Sequence, residues 1–113
     1  MSTLADYTAA VYDVRMTQGD TFIEKLTFED GEGDLLDLSG YTFQSQIRRT
    51  ADNGLVAQFA ISTSGSVVTR SLQPAVTSGL EGTYVHDFQW TDPQGRIRTL
   101  LSGNFDIEAE VTR

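Results

Sequence analysis

From Ile97 to Val111 the chain alternates. Ile97, Thr99, Leu101, Gly103, Phe105, Ile107, Ala109 and Val111 share one parity, and Arg98, Leu100, Ser102, Asn104, Asp106, Glu108 and Glu110 hold the other. A period of two marks a strand with one face on a core and one in water. A run of this kind commits the chain to a sheet, and the apolar parity must be covered by a second layer. At about 3.3 Å per residue the segment would span about 50 Å, too long for one flat strand of a small sandwich. The alternation therefore predicts a bend or bulge at Gly103. The 113 residues fit one domain, in which about two-thirds of the extended chain's surface can be buried. A core can form without disulfides or metal, and with no cysteine present neither a disulfide framework nor thiol chemistry is available.

The rest of the sequence reads as strands separated by turns, with no helical period. Residues 1–9 are small and polar and suit an extended or flexible arm. The predicted strands are Ala10–Met16, Thr21–Phe28, Tyr41–Arg49, Val56–Ile61, Val67–Leu72, Gly82–Trp90 and the final segment. In the second, Phe22, Leu26 and Phe28 share a parity that Glu24 breaks, which predicts a bulge near Ile23–Glu24. Asp52-Asn53-Gly54 is a hairpin signal. Pairing Ala51 with Leu55 sets Ile47 opposite Phe59 and Ser45 opposite Ile61. Asp92-Pro93-Gln94-Gly95 is a second turn, and pairing Thr91 with Arg96 sets Trp90 opposite Ile97 and His86 opposite Leu101. Gln73–Gly79, with a Pro and a terminal Gly, suits a crossover with one helical turn.

These features predict an all-β fold: an antiparallel immunoglobulin-like β-sandwich of seven or eight strands over residues 10–113, with a small barrel as the alternative. Gly82-Thr83-Tyr84 has the spacing of a tyrosine corner, and His86 stands where antibody domains have their second cysteine.

The chemistry of the residues points away from catalysis. The one histidine, His86, has Asp87 on the opposite face of its strand and no Gly-x-Ser-x-Gly elbow to serve. Asp30-Gly31-Glu32-Gly33-Asp34, with Asp37 nearby, alternates oxygen ligands, but Leu35 stands where a calcium loop needs glycine. Its plainer reading is a solvated turn. Arg70 falls near Phe59 if Ser64-Gly65 sets the register, within reach of a cation–π contact. Asp106, Glu108 and Glu110 read as a wet face that discourages edge-to-edge pairing. No catalytic, cofactor or metal residue is assigned. Leu55, Val67 and Leu100 fall on outward parities and are the candidate interface residues. A net charge of −8 repels phosphate and argues against nucleic acid as partner. No apolar run approaches the roughly 18 residues of a membrane helix, and MSTLADYTAA lacks the basic and apolar regions of a signal peptide.

In order along the chain come Gln18-Gly19-Asp20-Thr21-Phe22, an acidic Gly turn leading to Asp37-Leu38-Ser39-Gly40-Tyr41, Gln46-Ile47-Arg48, and Gly82-Thr83-Tyr84. An Asp-Pro-x-Gly turn, Leu100-Leu101-Ser102-Gly103 and Val111-Thr112-Arg113 complete the series. This series resembles small virion proteins of tailed bacteriophages, similar to the N-terminal attachment domains of baseplate and tail-fibre proteins. The resemblance implies a non-enzymatic immunoglobulin-like adaptor in the tail tip, baseplate or fibre attachment, assembled into the virion in the host cytoplasm. Its partners would be other virion proteins in a homo- or hetero-oligomer. A capsid decoration (cement) protein is the alternative within that class. A carbohydrate- or calcium-binding β-sandwich module is the alternative outside it.

Overall fold

The computed structural model describes residues 9–29 and 32–110. Its strands are β1 (Ala10–Val11), β2 (Val14–Thr17), β3 (Phe22–Thr27), β4 (Thr42–Arg49), β5 (Leu55–Gln58), β6 (Ala60–Ser64), β7 (Val67–Leu72), β8 (Gly82–Thr91) and β9 (Ile97–Glu108). A helical turn, α1 (Pro74–Thr77), joins β7 to β8. One sheet has the order β1-β9-β8-β4-β5, with β2 also on β9, and the other the order β3-β7-β6. This is a β-sandwich in immunoglobulin-like order. Its pairings are antiparallel except those of β1 and β2, which run parallel to β9. The expected arm, residues 1–9, lies outside the described residues apart from Ala9.

Nine strands are described where seven or eight were expected, because two predicted strands break. The first is interrupted at Tyr12–Asp13. The fourth divides at Phe59, whose side chain is buried and whose N–H donates to the Ser45 carbonyl at 2.9 Å. On one side of Phe59 the chain pairs with β4, and on the other with β7 in the opposite sheet.

Two registers differ from the sequence reading. Asn53, at φ +59°, makes the expected tight turn, yet Ile47 pairs with Ala57 rather than Phe59, and a bulge follows. At Ile47 the offset is two residues, which keeps its side chain on the expected face, while past the bulge Leu55 pairs with Arg48. Ser45 consequently does not face Ile61. Across the second hairpin, Asp92 Oδ1 accepts from the N–H groups of Gln94 and Arg96, both at 2.9 Å. That widens the loop by one residue and pairs Thr91 with Ile97.

A bulge then repairs the parity. Gln89 pairs with Thr99 and Phe88 with Leu101, leaving Leu100 as the extra residue. The predicted irregularity exists, three positions before Gly103. The alternation is inverted only ahead of Leu100, where Ile97 is exposed; beyond it Leu101 joins Phe88, His86 meets Gly103, and Phe105 and Ile107 keep the expected buried parity.

Apolar side chains between the layers form two clusters. Ile47, Phe59, Leu72, Phe105 and Ile107 make one; Leu38, Val68 and Phe88 make the other. At the β7–β8 crossover the Tyr84 hydroxyl donates to the Glu81 carbonyl and accepts from the Glu81 N–H, both at 3.2 Å. This is the tyrosine corner that the spacing predicts. Replacing Tyr84 with Phe removes only that hydroxyl, and urea unfolding should show a loss of about 1 kcal/mol. Unchanged stability would mean that the corner bond contributes nothing.

Candidate functional site

On the inward parity of β7, Arg70 follows Val68 and precedes Leu72, so its guanidinium enters the sandwich. It is fully buried. Its Nε donates to Glu24 Oε1 at 2.7 Å, and its Nη1 lies 3.0 Å from Ser45 Oγ and 3.2 Å from His86 Nδ1. Nη2 has no hydrogen-bond partner among the described residues. The cation stands 4.6 Å from the Phe59 ring centroid, as the turn register predicted, with Phe22 and Phe88 at 5.6 and 5.8 Å. It thus links the two apolar clusters.

Glu24 explains why β3 needs no bulge. The pairing runs unbroken from Phe22 with Leu72 to Thr27 with Val67. The acid stays on the inner face because Arg70 compensates it there. The bulge predicted at Ile23–Glu24 does not form.

His86 completes the cluster and reaches the link between β1 and β2. Arginine has only donors, so Nδ1 must accept, and the proton therefore sits on Nε2. That nitrogen donates to the Tyr12 carbonyl at 2.6 Å. Burial holds the imidazole below the ordinary histidine value, a bond to Tyr12 opposes this, and the Arg70 charge adds to it. The Tyr12 hydroxyl donates to the second Glu24 oxygen. That bond, burial and the nearby carboxylate raise the phenol's pKa above its usual value. Ser45 in turn donates to the Asp87 carbonyl. A continuous polar chain therefore runs Tyr12–Glu24–Arg70–His86 and returns to Tyr12, crossing both sheets. Both histidine nitrogens are engaged within the fold.

The link between β1 and β2 sits where this polar chain opens. Tyr12 N–H donates to the Ser102 carbonyl at 2.9 Å, and Asp13 Oδ1 accepts from Asn104 N–H at 2.9 Å. Gly103 lies directly beneath. A Cβ there would come within 2.7 Å of the Tyr12 carbonyl carbon and of Asp13 Oδ1, closer than real side chains allow. Beside β1 is an open groove of about 410 Å³ between Val11, Tyr12, Glu24, Leu26, Leu100 and Leu101.

The candidate interface residues do not form one patch. Leu55 is exposed on β5, the outer strand of its sheet. Val67 is half-buried on β7 of the other sheet. Leu100, pulled inward by the bulge, packs on the Leu38–Val68–Phe88 cluster and is not the outward residue expected. Asp106, Glu108 and Glu110 do not guard an edge, because β2 covers β9 and pairs Arg15 with Asp106 and Thr17 with Glu108. Asp30 and Gly31 of the acidic turn lie outside the described residues. Asp37 accepts from Ser39 N–H and Oγ at 3.0 and 2.9 Å, and those bonds hold its carboxyl below the usual range. Among the described residues no three His, Cys, Asp or Glu side chains are grouped to hold a metal ion, and no helix is long and apolar enough to cross a membrane.

No protein-family model and no curated protein matches the chain. Among solved structures it is similar to CopC from Methylosinus trichosporium OB3b, with a TM-score of 0.54 and 16% identity over 94% of this chain and 90% of that one. This likeness is one of fold: a β-sandwich.

Two measurements probe the cluster. Glu24→Ala leaves Arg70 buried without its counter-charge and should cost about 3–5 kcal/mol, much of it recovered when Arg70 is also replaced by Met. Additive losses in the double variant would deny the coupling. As pH falls through about 6.5, the unfolded chain binds a proton at position 86 before the folded one does. Stability from His86 is thus fully present above that pH and declines as pH drops toward the folded value. Melting temperature should fall between pH 6.5 and 5 in the native chain, and His86→Gln should remove that slope.

Proposed function

We propose that this chain is a non-enzymatic virion structural protein of a tailed bacteriophage, an adaptor of the tail tip, baseplate or fibre attachment that works through protein–protein contacts. The order of motifs from Gln18-Gly19-Asp20 to Val111-Thr112-Arg113 supports this reading. The observation that carries it is the parallel seating of Ala10–Thr17 on β9. Here an extended segment is added to a sheet through main-chain hydrogen bonds, the mode by which sandwich modules capture neighbours. The ionisable groups turned inward hold the layers together, and β5, β3 and β6 are strand edges, as is the β1–β2 side of the larger sheet. Leu55, exposed at one of them, is the contact residue of choice.

Particles of the phage that encodes the chain, separated into tails and capsids, should retain it with the tails at three- or sixfold stoichiometry. Recovery with capsids would favour the decoration role. A rise in melting temperature on adding calcium or glycans, with no particle association, would favour a binding module. Leu55→Arg should reduce incorporation into tails at least tenfold while shifting unfolding free energy by no more than about 0.5 kcal/mol, as befits an exposed position.

A further inference from the structure

We propose that Ala10–Thr17 is an exchangeable strap, and that its seat on β9 is an interaction site whose occupant is the same segment of a second copy of this chain. The inference gives a mechanism to the assembly role and rests on that reading for its purpose.

The strap is attached differently from the rest of the sandwich. Both residues of β1 are exposed, and Val11 retains 82% of its accessible surface. Within β2, Val14 and Met16 are only partly buried on the Phe105–Ile107 cluster. Polar contacts do most of the fastening: Tyr12 to Ser102, His86 and Glu24, Asp13 to Asn104, Gln18 N–H to the Glu108 carbonyl at 2.7 Å, and an exposed Arg15–Glu108 pair at 3.4 Å. Such bonds are remade by any segment of the same sequence.

The segment that follows can act as the hinge. Gly19 sits at φ +88°, and beyond it the chain is tied down where Thr77 Oγ1 donates to the Asp20 carbonyl at 2.7 Å. β3 and the body of the sandwich therefore remain fixed while Ala10–Thr17 leaves. Each copy carries both the seat and its complement in a defined register, so exchange between copies swaps one set of contacts for an identical set. The seat is also narrow. Bare backbone at Gly103 admits the Tyr12 carbonyl, and any side chain there would lift the strap.

Arg15 and Asp106 are register partners and give a direct test on purified full-length chain. Arg15→Cys and Asp106→Cys proteins, mixed and gently oxidised, should yield a disulfide-linked heterodimer several-fold in excess of either homodimer. A heterodimer no more abundant than the homodimers, with the doubly substituted chain bridging only within itself, would overturn the proposal. Opening is read separately by trypsin, for which Arg15 and Lys25 are the first two sites. Gly103→Ala should speed cleavage after Arg15 several-fold and, placed in the Asp106→Cys protein, lower the heterodimer yield, because it spoils the seat for either copy's strap; unchanged cleavage would equally overturn the proposal. Should Gly103→Ala not fold, Asp13→Ala, which removes only the Asn104 bond, takes its place. Because these assays use no particle, failed exchange would discard the strap while leaving the tail-recovery experiment to judge the adaptor role.

Discussion

A cation with no exposure to water organises this sandwich. Arg70 cannot lose its charge, so its burial is tolerable only where a carboxylate and hydrogen-bond acceptors meet it. Glu24, Ser45 and His86 supply them, and three phenylalanine rings close around the remaining faces. These partners come from β3, β4 and β8, so the guanidinium fixes how the two sheets stand against each other. Antibody domains bridge the layers here with a disulfide between two strands. In this chain the second cysteine's place is held by His86, and an ionic and hydrogen-bonded chain makes the connection. Such a link depends on geometry and on proton occupancy, whereas a disulfide depends on redox state.

Much of the architecture could be read from residue order. The bounds of β7, the Asn53 turn and the tyrosine corner were all legible because each is a local pattern. Legibility failed where a register depends on one extra residue. The widened Asp92 loop and the Leu100 bulge each move β9 by one position, and no periodicity of the strand alone distinguishes that pair of shifts from none. Ile97 was expected inside and lies outside for this reason. Phe59 was placed in a continuous strand because nothing in Val56–Ile61 marks a change of sheet.

The polar cluster was half visible. Arg70 near Phe59 followed from the turn, but Glu24 read as a break in alternation to be cured by a bulge. Taken together, an acid and a base each standing alone on an apolar parity form a signal: two such residues on neighbouring strands can satisfy each other. Tyr12 and Gly103 carried no comparable mark. Tyr12 acts through its carbonyl and its hydroxyl, and Gly103, expected only as a point of bending, acts through the absence of a side chain; neither role leaves a trace in hydrophobic patterning.

The direction of β2 beside β9 has a mechanical corollary. Two neighbouring parallel strands, pulled from the beginning of one and the end of the other, slide past each other lengthwise. Every rung of the ladder then resists tension at once, instead of parting one after another as in a hairpin peeled from its open end. A module loaded along that axis would withstand stretching far better than its modest apolar contacts at the strap suggest, yet would yield readily to a pull perpendicular to it.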